Sequence, residues 1–194
     1  RGSHAAMPHQ GVDPIVVGAQ LVTALQTIRS RNVHPLEGLV VSITQFHAGN
    51  TYNVIPETAM INGTIRSLGD ETRKLAEERL YAMADMVTKM AGATYEMDFR
   101  VGYPVTVNDD AATRKAVGAA KLVAGESGVN SQVRATLGGE DFAYMLNARP
   151  GAYIFMGNGD TAGLHHPAYD FNDEAIPHGT SYWAKLVETL MPAS

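Results

Sequence analysis

The chain has 194 residues, is 45% hydrophobic and 18% charged, and carries a formal net charge of -5. That composition excludes a disordered or strongly basic protein, and with no basic patch it gives no reason to expect nucleic acid or an anionic membrane as a partner. Cysteine is absent, which excludes disulfides, thiolate nucleophiles and every Cys-ligated metal site and fits a reducing cytoplasm.

The first residues, Arg1-Gly2-Ser3-His4, could be read as the remnant of a tag. They run without a break into a well-formed helix, so they are read here as native sequence. Asp13 followed by Pro14 starts that helix: the Asp side chain accepts from first-turn amides, and Pro sits where its missing N–H costs nothing. Val17, Leu21, Ala24 and Ile28 form its stripe, and it ends near Arg29 and Arg31. Residues 39–46 and 58–67 predict two strands, joined by a link too irregular for a tight turn. Asp70 opens a second helix whose stripe is Ala76, Leu80, Met83, Val87 and Met90, with Gly92 as its stop. Residues 95–103 alternate apolar and polar strictly and predict a third strand.

Residues 1–105 therefore read helix, strand, strand, helix, strand. An antiparallel sheet with helices 13–31 and 70–91 on one face satisfies that order, and one further strand ahead of residue 1 would complete a βαββαβ unit. The stretch 104–110 is the expected boundary. Beyond it come a helix capped by Asn108 or Asp109, a short strand at 152–156, a glycine-rich loop and a closing helix to Leu190. One strand is thin support for an independent core, so residues 106–194 read as part of a larger α/β domain.

Several residues could carry chemistry. His4 stands in a loop of small residues. It is either a structural histidine or a donor to a developing oxyanion. Arg66 shares the polar face of its strand with Asn62 and Thr64. It is either a solvated charge or a bidentate clamp on a carboxylate, with Asn53 as a second donor. Glu140 and Asp141 follow a glycine pair, where they could favour a helix dipole or surround a metal. His165 and His166 lie among Asp160, Asp170, Asp173 and Glu174. Imidazole among carboxylates is ligand-like, although adjacent histidines seldom hold one ion. No HExxH, glycine-rich phosphate loop or GxSxG is present.

Taken together, the segments RGSHAAMPHQGVDPIV, NVIPETAMINGTIRS, TLGGEDFAYML and GLHHPAYDFNDE resemble the M20 metallopeptidases. They are most similar to the subgroup of hippurate hydrolases and of amidohydrolases that release indole-acetic acid from amino-acid conjugates. The resemblance implies an α/β fold in which residues 1–105 are a βαββαβ lid and dimerisation domain lacking its first strand. Residues 106–194 would be the C-terminal part of the catalytic domain, with the N-terminal catalytic segment, including the water-activating glutamate, lying outside the chain. It implies metal-dependent hydrolysis of N-acyl amino acids or small dipeptides, using one or two divalent ions (Zn, Mn, Co or Ni) with an incomplete ligand set here. It also implies a cytoplasmic homodimer joined through the lid. By the same resemblance His4 steadies the oxyanion in the partner's site, Asn53 and Arg66 hold the substrate carboxylate, and His165 is a metal ligand. Glu140 is an acidic group beside the metals, and His166 is not a ligand. The isolated chain would then be inactive; the alternative is a non-catalytic dimerisation or binding module.

Overall fold

A computed structural model describes residues 1–192. The chain divides into two compact units, one made of residues 1–105 with 136–139, the other of residues 106–135 with those from 140 onward.

In the first unit, helix α1 (Pro14–Thr27) begins as its sequence dictates. Asp13 Oδ1 accepts from the amides of Ile15 at 2.8 Å and Val16 at 3.4 Å, and Pro14 follows at the first helical position. A π-helical turn, Ile28–Asn32, closes it. Helix α2 (Asp70–Ala91) ends on Gly92, whose φ of 68° is left-handed; the amides of Gly92 and Ala93 return to Lys89 and Thr88. The buried stripe of α1 is Val17, Gly18 and Leu25, continued by Ile28 of the π-helical turn, while that of α2 is Thr72, Ala76, Ala84 and Thr88, with Met90 left exposed.

Two strands, β2 (Leu39–Ala48) and β4 (Ala59–Ser67), pair antiparallel, and a shorter pair is made by β1 (Ser3–His4) and β3 (Val54–Ile55). Leu25, Ile28, Val33, Leu39 and Ala76 form the core, against which Val41, Ile43 and Ile65 of the sheet are packed. Both helices thus cover one face of the β2–β4 pair. Burying a side chain such as Leu25 or Ile28 is worth about 1.5–3 kcal/mol, so this face anchors the unit.

Register changes once within this pair. Ile43 opposes Gly63, but Gln45 opposes Asn62, so Thr44 is the extra residue of a bulge. Before it, odd-numbered residues of β2 face the helices; after it, Phe46 and Ala48 oppose Ile61 and Ala59. Gly18 of α1 makes the close approach possible there, since a Cβ on it would stand 2.6 Å from the Phe46 ring.

The strand expected at 95–103 is a correction. Tyr95, Met97 and Phe99 are half-buried while Glu96, Asp98 and Arg100 are exposed, as alternation requires, but Val101 and Tyr103 are exposed as well, and the segment joins no ladder among the described residues. Its side chains turn to local partners instead: Tyr95 donates to Asp85 at 3.0 Å, and Arg100 bonds Asp98. Alternation fixes which side chains are covered, whereas a ladder also needs a paired backbone.

The second unit holds α3 (Asp110–Ala124), α4 (Phe142–Ala148) and α5 (Ala175–Leu190), with α3 packed against α5 through buried alanines and Tyr182. Asp109 is the cap of α3, accepting from the Ala112 amide at 2.8 Å. The strand expected at 152–156 is likewise not formed. In its place the Asn108 side chain bonds the Tyr153 backbone twice, donating to its carbonyl at 2.9 Å and accepting from its amide at 2.8 Å. One side-chain amide does here what a neighbouring strand would do. No helix among the described residues is long and apolar enough to cross a membrane.

Candidate functional site

His4 and Asn53 lie far apart in sequence and are brought together by the β1–β3 pairing. His4 opposes Val54, and the Ala5 amide donates to the Asn53 carbonyl at 3.0 Å. Gly2 permits this contact, because a Cβ on it would stand 2.9 Å from the Ile55 carbonyl oxygen. The His4 carbonyl accepts from the Met7 amide at 2.8 Å, and its ring Nδ1 accepts from the Ala6 amide at 3.1 Å. The Asn53 Oδ1 accepts from the Thr51 hydroxyl at 3.0 Å, which leaves the Nδ2 donors of an exposed side chain open.

Arg66 stands on β4 opposite Val40, exposed, and forms no ion pair among the described residues. Its only hydrogen bond among the described residues is a 3.4 Å contact from Nη1 to the Ile65 carbonyl. Gly139, in the 136–139 segment of the same unit, lies beside it: a Cβ there would be 3.9 Å from the guanidinium carbon and 3.4 Å from the Tyr103 ring. An uncompensated planar cation flanked by a glycine backbone can receive a carboxylate in bidentate fashion.

In the second unit, Glu140 is held by Tyr153, whose hydroxyl donates to Oε2 at 2.7 Å, and by the Phe142 amide, which donates to Oε1 at 3.3 Å. The Tyr153 hydroxyl, then the Phe142 amide, hold the Glu140 carboxyl below the usual carboxylate range, and the same bond pushes the Tyr153 phenol up. Phe142 and Phe155 flank the Tyr153 ring, with centroids 5.6 Å and 5.4 Å away. Sequence reasoning missed Tyr153 and Asn108. A Tyr beside a run of apolar residues reads as core, and Asn108 reads as a cap.

His165 sits in the loop before α5 with a φ of 67°, the one left-handed non-glycine residue in the described chain. Asn158 clasps that loop. It donates to the Asp170 carbonyl at 2.8 Å and the Thr161 hydroxyl at 3.1 Å, and accepts from the Asn172 amide at 2.8 Å. His166 turns its Nδ1 to the Ala168 amide at 3.0 Å. No hydrogen bond or ion pair joins Glu140 to His165. Among the described residues no group of three or more His, Asp or Glu converges to hold a metal ion. The donors present do not by themselves fit a catalytic metal, which needs about three protein ligands.

Comparison with known proteins gives these residues a setting. The chain is 38% identical over 186 residues to the hippurate hydrolase of Campylobacter jejuni, covering 96% of this chain and 49% of that one. It is 37% identical to the N-acetyl-L-cysteine deacetylase of Bacillus subtilis, covering 100% of this chain and 46% of that one. A Bacillus subtilis protein, solved as a dinuclear metal binding peptidase from the M20 family, superposes with a TM-score of 0.71 at 30% identity, over 94% of this chain and 47% of its own. The chain spans about half the length of the curated relatives it matches. The sequence profile of Peptidase family M20/M25/M40 matches residues 4–189, and the chain belongs to that family.

Proposed function

We propose that the whole protein hydrolyses the amide bond of N-acyl amino acids or small dipeptides, as a cytoplasmic, metal-dependent homodimer. The observation that carries this reading is the exposed, ion-pair-free Arg66 guanidinium beside Gly139, on a chain whose relatives include a hippurate hydrolase and deacetylases of N-acetyl amino acids. A substrate of that class has one free carboxylate, and Arg66 is built to hold it, with the open Asn53 amide as a second donor.

His4 donates to the oxyanion that forms when the acyl carbonyl is attacked, from the lid of the partner subunit. Glu140, fixed by Tyr153, is an ordered negative charge in the catalytic domain. His165 is one ligand of a divalent ion, whose remaining ligands lie outside the described residues. Such an ion, when bound, polarises the carbonyl and acidifies water. Zn, Mn, Co and Ni all accept imidazole and carboxylate donors.

The test is hydrolysis of hippurate and of N-acetyl amino acids by the full-length protein, before and after chelation and on return of each metal. Turnover that needs a divalent ion and a free α-carboxylate is expected. Activity indifferent to chelation, or to the carboxylate, would remove the reading. The 194-residue chain alone is expected to be inactive, since no group of three metal-ligating side chains converges among its described residues.

A further inference from the structure

Three histidines share one local geometry. The ring Nδ1 of His4 accepts from the Ala6 amide at 3.1 Å, that of His34 from the Leu36 amide at 3.2 Å, and that of His166 from the Ala168 amide at 3.0 Å. A nitrogen that accepts a hydrogen bond carries its lone pair and not a proton. In the neutral ring the single proton then belongs to Nε2, the edge pointing away from the backbone.

His4 differs from the other two in how its backbone is held. It opposes Val54 in the β1–β3 ladder and the next amide donates to Asn53, while the carbonyls of all three histidines close a turn, with Met7, Glu37 and Tyr169. Ring and backbone are therefore fixed by separate bonds, on both sides of one residue.

We infer that the backbone amide of Ala6 is a positioning group: it locks His4 in the tautomer and ring orientation that present Nε2–H as a donor. This rests on the reading of His4 as the oxyanion donor and adds what makes it competent. A ring free to exchange tautomers would offer, for part of the time, an acceptor to a developing negative charge. Preorganised donors work because they need no reorganisation as charge appears. The side chain at position 6 is then immaterial, and only its N–H counts. Every residue type but proline satisfies the requirement.

Nuclear magnetic resonance of the 15N-labelled 194-residue chain, at a pH where the ring is neutral, reads this directly. A scalar coupling between the Ala6 amide nitrogen and His4 Nδ1 is expected across the hydrogen bond, with Nδ1 at the shift of an unprotonated ring nitrogen and Nε2 at that of a protonated one. The His34–Leu36 and His166–Ala168 pairs are internal controls. If those couplings are seen and the Ala6–His4 coupling is not, or if His4 carries its proton on Nδ1, the inference fails.

A second arm uses the full-length protein. Ala6→Pro removes the N–H and should lower kcat by about tenfold to a hundredfold with KM unchanged, whereas Ala6→Gly should retain kcat. Equal kcat for the two variants overturns the positioning role. Failure of the underlying reading looks different: His4→Ala would leave kcat intact while the Ala6–His4 coupling persisted in the unmodified chain.

Discussion

The phenolic hydroxyl of Tyr153 donates to Glu140 Oε2 at 2.7 Å, while Asn108 holds the Tyr153 backbone from the start of α3. The carboxylate is thus fixed at the end of a chain of bonds that begins one residue before a helix cap. Because the bond lowers the folded-state value of Glu140, it contributes stability above the ordinary carboxylate range. That contribution is lost as pH falls through the depressed value. Tyr153→Phe removes the largest cause of the depression. Thermal unfolding followed across the acid range should show the two proteins differing most near neutrality and converging as Glu140 becomes protonated. A constant difference at every pH would assign the effect to packing alone.

Gly63 faces the bulge, and a Cβ on it would overlap the Ser42 carbonyl oxygen of the paired strand. Backbone cannot step aside as a side-chain tip can. Gly63→Ala should therefore destabilise the chain by about 1–3 kcal/mol, the usual cost of overpacking. Denaturant unfolding measures it. An unchanged midpoint would mean that the β2–β4 ladder yields there without loss.

Arg66→Ala in the full-length protein should weaken turnover of substrates with a free α-carboxylate by about tenfold to a hundredfold, matching the roughly 1.5–3 kcal/mol of a charge-assisted contact. The corresponding carboxamides should be affected much less. Comparison of kcat/KM on acid and amide pairs decides it, and equal losses on both would make Arg66 a support of the fold.

Action across a dimer has its own signature. His4→Ala and His165→Ala full-length proteins should each be impaired, and exchanging their subunits should restore activity. One site of the mixed dimer has its own His165 and receives His4 from its partner; the other has neither. Recovery toward half of the unmodified activity per mixed dimer is expected. None after confirmed exchange would place His4 within its own chain's site or in a structural role.

Much of this arrangement is legible in the sequence because its causes are local. Asp13-Pro14, Asp109 and Gly92 work through bonds within one helical turn; period alone picks out Val17, Ile28 and Ala76, but it misses the buried Leu25, Ala84 and Thr88 and places the exposed Met90 on the stripe. The family motifs likewise locate His4, Asn53, Arg66, Glu140 and His165 as candidates. What could not be read depends on partners distant in the chain. The β1–β3 pair is two residues per strand, too short to leave a periodic trace, yet it is what sets His4 beside Asn53. Segment 95–103 shows the converse: its alternation is real, but no pattern along one strand reveals whether a neighbour's amides are in reach. Tyr153 was hidden for a similar reason, since its partners lie 13 and 45 residues away. The left-handed φ of His165 was hidden by its residue type, because a glycine there would have announced it.

The extra residue at Thr44 divides β2 into two reading frames. Upstream, Leu39, Val41 and Ile43 address the helices; downstream, Phe46 does, against Gly18 of α1, where an unbroken alternation would have sent Gln45 and His47 inward. Deleting Thr44 would put the strand back into a single phase. Both halves would keep their partners on β4, Ile43 opposite Gly63 and Phe46 opposite Ile61, and the same side chains would still face inward. A one-residue deletion here is therefore absorbed by the ladder, whereas one elsewhere in β2 would turn the side chains between it and the bulge to the opposite face. What position 44 contributes is the local kink and added twist of the bulge.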